Sequence, residues 1–149
     1  MSINLEELIK KISPTESEPS QIIINAEHFQ KQKDYTELMT YILKTMVAAL
    51  TESRENRYSE IDVHLIFPKN IKSKDLDRRF IMHLAKTMIE MFPDTLKSLH
   101  IYNPPTFFKL IWEVLKPICD KDMKRKIVIH KGDNHNLNYE EYNSEMSNE

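Results

Sequence analysis

Residues 96–130 read LKSLHIYNPPTFFKLIWEVLKPICDKDMKRKIVIH and decide the fold. The run from Leu99 to Asn103 predicts a strand, and the Asn-Pro-Pro sequence that follows predicts a turn. The apolar segment up to Pro117 predicts a helix, which the proline ends. A further strand is predicted at Lys126 to His130. A strand, a helix and a strand in this order are typical of a crossover between parallel strands.

The chain before this stretch repeats the alternation. A run of isoleucines predicts a strand at Gln21 to Asn25, and alternating polarity predicts another at Ile61 to Phe67. Apolar residues at spacings of three and four predict a helix after each, from Asp34 to Leu50 and from Asp75 to Phe92. We therefore predict an α/β fold, a three-layer-like sandwich with a mainly parallel sheet of about four strands and crossover helices.

Both ends of the chain are predicted to lie outside this domain. Apolar residues at helical spacing near the start predict a short amphipathic helix, followed by a linker rich in Pro and Ser, together residues 1–19. The domain itself is predicted to cover residues 20–130. Residues 131–149 are rich in Asn, Ser and Glu, so we expect an acidic, disordered tail.

The composition excludes several classes of function. With 21 basic and 23 acidic residues and a net charge of -2, the chain lacks the basic surface typical of nucleic-acid binding. Gly132 is the only glycine, so a glycine-rich phosphate loop cannot be built. The single Cys119 cannot form an internal disulfide, and no run is apolar for long enough to span a bilayer. We expect a cytoplasmic protein without a nucleic-acid partner.

Four short motifs follow one another at the end of the domain. They are Phe92-Pro93-Asp94, Asn103-Pro104-Pro105, Phe107-Phe108 and Lys116-Pro117. Residues 20–130 thereby resemble the CRAL-TRIO (Sec14-like) lipid-binding domain, in which an aromatic-Pro-Glu segment precedes a strand ending in Asn-Ala-Pro, and the next helix opens with an aromatic pair and closes with Lys-Pro. The resemblance implies a SpoIIAA-like/CRAL-TRIO core. We expect a truncated or minimal member lacking the gate region, because the family continues into a mobile gate helix after the strand that matches Lys126 to His130.

The resemblance also implies a function. Members of this family bind or transfer lipids and other hydrophobic small molecules, so we expect a phospholipid or similar ligand, no cofactor, no enzymatic activity, and peripheral contact with membranes. In the family, the Glu of the aromatic-Pro-Glu segment helps to hold the lipid headgroup, and Asp94 takes its position. The predicted ligand-binding residues are Asp94, Tyr102, Phe107, Phe108 and Trp112. The alternative is a reduced fold that acts as a protein-interaction module without a closed lipid pocket.

Alternation along the strands predicts two different faces of the sheet. One face is apolar and is expected to pack against helices: Ile61, Val63, Leu65, Phe67, Leu99, Ile101, Ile127 and Ile129. The other is mixed: Asp62, His64, Ile66, His100, Tyr102, Val128 and His130. Three imidazoles and a carboxylate bind zinc where adjacent strands bring them together. Histidines also suit half-exposed strands without a metal, and since the strand order is unknown we predict no metal site.

The helix after residue 105 is apolar on most sides. Only Lys109, Glu113 and Lys116 form a polar stripe, so this helix needs cover from its own domain, from a partner or second copy, or from lipid. A protein partner or self-association through this helix is therefore a second expectation. Cys119 lies just after Pro117, where packing is more typical than catalysis, and no serine lies in a nucleophile elbow.

Overall fold

The computed structural model describes residues 3–132 and 136–138, together with Glu141 and Ser144. Within these described residues, one sheet contains six strands, arranged side by side in sequence order. The strands are Ile9–Ile12 (β1), Gln21–Asn25 (β2), Ile61–Ile66 (β3), Leu96–Tyr102 (β4), Ile127–His130 (β5) and Asn136–Asn138 (β6). The α-helices of the described residues are Leu5–Leu8 (α1), Thr36–Glu55 (α2), Arg78–Met91 (α3), Phe108–Leu115 (α4) and Lys121–Arg125 (α5). Short 3-10 turns lie at Ala26–His28 and Ser73–Asp75.

The four central strands, β2 to β5, are parallel to one another, and β1 and β6 pair antiparallel at the two edges. This confirms the predicted α/β fold with a mainly parallel sheet. The sheet is wider than the predicted one of about four strands, because each edge gains a short strand. Among the described residues, no helix is both long and apolar enough to cross a membrane.

The start of the chain differs from the predicted amphipathic helix. Helix α1 is a single turn, in which the Asn4 side chain accepts a hydrogen bond from the Glu7 backbone N–H. The chain then extends as β1, where Ile9 is 2% exposed and lies opposite Ile24 of β2. Isoleucine is β-branched and packs well on a pleated surface. Pairing with the edge of β2 therefore prevails over the helical spacing of the apolar residues.

The end of the sheet also extends past the predicted domain boundary. Strand β6 pairs with β5 and buries Leu137, which is 4% exposed. Part of the segment expected to be a disordered tail is therefore a strand. Most of the remaining tail, to which that expectation also applied, lies outside the described residues.

The three long crossovers place their helices on one face of the sheet. Helices α2, α3 and α4 each connect one parallel strand to the next, and such crossovers are right-handed. Because each new strand is added on the same side of the previous one, right-handed crossovers place all three helices on the same face of the sheet. Buried side chains agree with this arrangement. One apolar cluster joins α2 to Ile22 and Val63, and another joins α4 to Ile101 and Ile129. The predicted apolar face of the sheet is thus the helix face.

The opposite face of the sheet is called the polar face below. On the four parallel strands its polar side chains are Gln21, Asn25, Asp62, His64, Ser98, His100, Tyr102 and His130.

Candidate functional site

The register of the parallel strands brings the predicted histidines together. His64 of β3 lies opposite His100 of β4, and Tyr102 of β4 lies between Ile66 of β3 and His130 of β5. The sequence alone left this convergence open, because it does not specify the order of the strands. The polar face therefore carries one compact group of titratable side chains, which we call the histidine cluster: Asp62, His64, His100, Tyr102 and His130.

An irregularity in the sheet completes this cluster. Ile61 lies opposite Leu96, whereas Asp62 lies opposite Ser98, so Lys97 has no partner on β3. Such a β-bulge shifts the following side chains along the neighbouring strand. It places Asp62 opposite Ser98, which lies two residues before His100 on the same face of β4.

A chain of hydrogen bonds runs from the Asp62 carboxylate on β3 across β4 to His130 on β5. The Ser98 hydroxyl donates to Asp62, and Ser98 Oγ lies 3.0 Å from His100 Nε2. Since the serine proton goes to the carboxylate, His100 Nε2 is the donor to Ser98. His100 Nδ1, 2.9 Å from His130 Nε2, then accepts from His130. These contacts orient His100 through both of its ring nitrogens.

His64 is held in the same way by different partners. Its Nε2 lies 2.8 Å from Gln21 Oε1 and its Nδ1 lies 2.8 Å from the Tyr102 hydroxyl. An amide oxygen only accepts, so Nε2–H donates to Gln21 and the Tyr102 hydroxyl donates to Nδ1. The rings of His64 and His100 stack with their centroids 4.7 Å apart, and those of Tyr102 and His130 with theirs 4.2 Å apart.

Burial changes the protonation behaviour of the cluster. Burial, and then the neighbouring charge of His100, lowers the pKa of His64, which favours the neutral imidazole. Burial by itself would raise the pKa of Asp62, but hydrogen bonds from His100 and Ser98 outweigh it and hold that pKa below its ordinary value. Burial, followed by the charge of Asp62, raises the pKa of Tyr102. Near neutral pH the cluster thus contains an ionised carboxylate, a neutral His64 and a neutral phenol.

Apolar side chains flank the histidine cluster on the same face. Within the parallel strands, the row through His64 and His100 runs from Ile23 of β2 to Val128 of β5, and Lys10 of β1 lies opposite Ile23. In the row through Tyr102 and His130, Ile66 of β3 lies between Asn25 of β2 and Tyr102. All three aliphatic residues are partly exposed. The polar face therefore places aliphatic side chains directly beside the polar cluster.

The structure separates the five predicted ligand-binding residues. Tyr102 belongs to the histidine cluster, whereas Asp94 is exposed in a turn before β4, with a φ of 57°. Phe108 and Trp112 are 1% and 3% exposed and belong to the apolar cluster of the helix face. Their side chains are covered by the domain's own core, so a ligand on the polar face cannot contact them. We therefore assign Phe108 and Trp112 to the core.

Phe107 lies at a different place from Tyr102. It is partly buried and lines a cleft of about 510 Å³ between the start of α3 and α4, together with Leu110, Ile111 and several basic side chains. At the start of α3, which borders this cleft, the Asp77 side chain accepts hydrogen bonds from the backbone N–H groups of Arg79 and Phe80. These two N–H groups are therefore already paired within the chain. The cleft lies on the helix side of the sheet and is separate from the histidine cluster.

Two residues of the site were missed by the sequence reasoning. Ser98 and Gln21 supply hydrogen bonds to His100 and His64, and neither has a residue type that marks a functional site by itself. One signal was available for Ser98. It lies two positions before His100 on the same predicted strand, and therefore on the same face.

Comparisons with known proteins agree with the fold. The family model described as CRAL/TRIO domain matches residues 11–147. No curated protein matches by sequence. A solved structure, "Crystal structure of Sfh5", is similar to this chain with a TM-score of 0.68 and 16% sequence identity, and the match covers 87% of this chain and 49% of that one. This chain thus spans about half the length of the structural relative.

Because the family model matches nearly the whole chain, the chain belongs to the CRAL/TRIO domain family. The resemblance read from its four short motifs is confirmed. At the level of the family, lipid binding or transfer is the associated function, and CRAL/TRIO proteins are generally not enzymes.

Proposed function

We propose that this chain binds a lipid or another hydrophobic small molecule without changing it chemically, and that the ligand lies on the polar face of the sheet. The observation that carries this proposal is the one-sided arrangement of the helices. Helices α2, α3 and α4 occupy the helix face, and among the described residues no long helix covers the opposite face of the sheet. Membership of the CRAL/TRIO family supports a hydrophobic ligand.

The side chains of the polar face favour a ligand that is apolar along most of its length and polar at one end. Ile23, Ile66 and Val128 offer apolar contact on both sides of the cluster. Removing apolar surface from water stabilises such a contact by about 25 cal/mol per Å². His100, Tyr102 and His130 offer hydrogen-bonding groups to the polar end, as ligand sites generally place a few polar groups within an apolar surface.

The alternative function, a protein-interaction module acting through α4, has less support. Its premise was a helix with uncovered apolar sides. Phe108, Ile111 and Trp112 are buried in the core of this domain, whereas Leu110 is 49% exposed. The apolar character of α4 is therefore mostly explained by packing within the chain.

Native mass spectrometry of the purified full chain tests the proposed function. We expect one bound lipid or other hydrophobic molecule per chain, either retained through purification or taken up from vesicles of phosphatidylcholine and phosphatidylinositol. A chain that is ligand-free after purification and takes up nothing from these vesicles would contradict the proposal.

A matched pair of substitutions locates the ligand. Val128→Lys places a charge beside His100 on the polar face, and we expect it to reduce ligand uptake strongly. Val47→Lys is the control, because Val47 is 51% exposed on α2, on the other side of the sheet. Equal uptake by both variants, with thermal unfolding showing both to be folded, would place the ligand elsewhere.

A further inference from the structure

Three side chains of the histidine cluster have the composition and spacing of a metal site. One donor atom from each of Asp62, His64 and His100 lies within 4.8 Å of the other two. Asp62 Oδ1 is 3.4 Å from His100 Nε2, and Asp62 Oδ2 is 3.8 Å from His64 Nε2. Ligand atoms around a tetrahedral zinc ion are about 3.3 to 3.6 Å apart, since zinc bonds to nitrogen and oxygen are about 2.0 to 2.2 Å long. The carboxylate thus already lies close to coordination distance from both imidazoles.

The outer nitrogens of the two imidazoles already have partners of the kind that metal sites use. Histidine ligands of metals commonly donate their second ring N–H to a neighbouring acceptor, which fixes the ring. His64 Nδ1 is 2.8 Å from the Tyr102 oxygen, and His100 Nδ1 is 2.9 Å from His130 Nε2. Both partners are able to accept a hydrogen bond. The two Nε2 atoms are left on the side of the rings that faces Asp62.

From these observations we propose that Asp62, His64 and His100 bind one divalent transition-metal ion, with Tyr102 and His130 as the positioning residues behind the two imidazoles. Two imidazoles and one carboxylate suit zinc and the neighbouring late first-row ions. Three protein ligands leave at least one position of the metal for water or for a donor atom of a ligand on the polar face. This inference does not depend on lipid binding, because the metal ligands all belong to the chain.

Metal binding requires a defined rearrangement of these side chains. The rings of His64 and His100 are parallel to within 10°, and a metal ion cannot lie in the planes of two stacked rings, so at least one ring turns about its Cβ–Cγ bond. The hydrogen bonds of the two Nε2 atoms to Gln21 and Ser98 are exchanged for bonds to the metal. In each of the two metal-binding imidazoles the proton on Nε2 moves to Nδ1. The Tyr102 hydroxyl turns its own proton away from His64, and His130 moves its proton from Nε2 to Nδ1, so that the Tyr102 oxygen and His130 Nε2 accept hydrogen bonds from His64 and His100. No imidazole loses a proton overall.

Titration of the full chain with zinc tests this proposal. After dialysis against a chelator and its removal, isothermal titration calorimetry with Zn²⁺ is expected to give one site per chain. Zinc is also expected to raise the melting temperature, because an ion that binds only the folded state stabilises it. Co²⁺ is expected to give visible absorption bands that Zn²⁺ abolishes. An absence of stoichiometric binding by the wild-type chain would overturn the proposal.

Variants decide whether the bound metal is at this site. Asp62→Asn and His64→Asn are each expected to abolish stoichiometric binding, whereas His83→Asn, at an exposed position of α3, leaves it unchanged. Tyr102→Phe keeps all three ligands and the ring packing, and is expected to weaken zinc affinity about 10- to 100-fold, as loss of an outer-shell partner does. This variant and the Co²⁺ spectrum decide the question if a ligand variant does not fold. Wild-type affinity in Asp62→Asn and His64→Asn, or in Tyr102→Phe, would show that the ion binds elsewhere.

Discussion

A substitution of Trp112 distinguishes between the two roles that the sequence allowed for helix α4, which are packing and ligand binding. The Trp112 side chain is 3% exposed and belongs to the apolar cluster that joins α4 to the sheet. We predict that Trp112→Ala destabilises the fold strongly. Leu110→Ala, on the same helix but 49% exposed, is the matched control and is expected to change stability by less than about 0.5 kcal/mol.

The expected magnitude follows from the buried area. An aromatic side chain of this size buries about 150 to 250 Å², which at about 25 cal/mol per Å² corresponds to about 4 to 6 kcal/mol. This is an upper estimate, because the unfolded chain already buries part of that surface. Removing a buried Phe or Trp side chain typically costs about 3 to 5 kcal/mol. We therefore expect a loss of about 4 kcal/mol in the free energy of unfolding for Trp112→Ala.

Urea denaturation followed by far-UV circular dichroism measures this loss. Trp112 is the only tryptophan, so fluorescence cannot be used to compare the variant with the wild type. With a slope of about 2 kcal/mol per M, a loss of about 4 kcal/mol lowers the midpoint by about 2 M urea. A midpoint within a few tenths of a molar unit of the wild type, together with lost ligand binding, would refute the core assignment and restore Trp112 as a binding residue.

Three further predictions concern other parts of the chain. With a chelator present, the free energy of unfolding should fall as the pH drops below 6.5, because His64 then becomes protonated in the unfolded chain while its lowered pKa keeps it neutral in the folded chain. In His64→Gln, the urea midpoint should depend less on pH in this range. Ile9→Ala should cost about 2 to 5 kcal/mol and Ile12→Ala, at an exposed position of β1, much less, as thermal unfolding would show; equal effects would contradict the β1 pairing. Burial raises the pKa of the Cys119 thiol, so iodoacetamide should modify it slowly at neutral pH until urea unfolds the chain, and rapid modification of folded protein would contradict this.

Much of the central fold can be predicted from the sequence, because its signals are local. The isoleucine run at residues 21–25 and the alternation at residues 61–67 each specify a strand, and the helices between them follow from apolar spacing. Alternation also assigned the residues of the two faces correctly. The edge strands were not predicted, since β1 and β6 are too short to carry a pattern and form only by pairing with β2 and β5.

The candidate site was predicted only as a set of residue types. Asp62, His64, His100 and His130 were assigned to one face, but whether they meet depends on strand order and register. The register between β3 and β4 depends on a β-bulge at Lys97. The residue types around Lys97 do not predict a bulge at this position. For the aromatic pair, the family resemblance marked both residues as ligand-binding, and this stays a prediction. The resemblance does not specify their packing, which buries Phe108 in the core and leaves Phe107 partly exposed at the cleft.

Nuclear magnetic resonance provides the most direct test of the central claim, that the polar face binds the ligand. A short-chain phosphatidylcholine, kept below its micelle-forming concentration, would be titrated into the ¹⁵N-labelled full chain. We predict that the largest amide shift changes occur on β3, β4 and β5 around His64, His100 and Val128. Changes concentrated instead at the cleft around Phe107 and Leu110, or the absence of saturable changes, would contradict it.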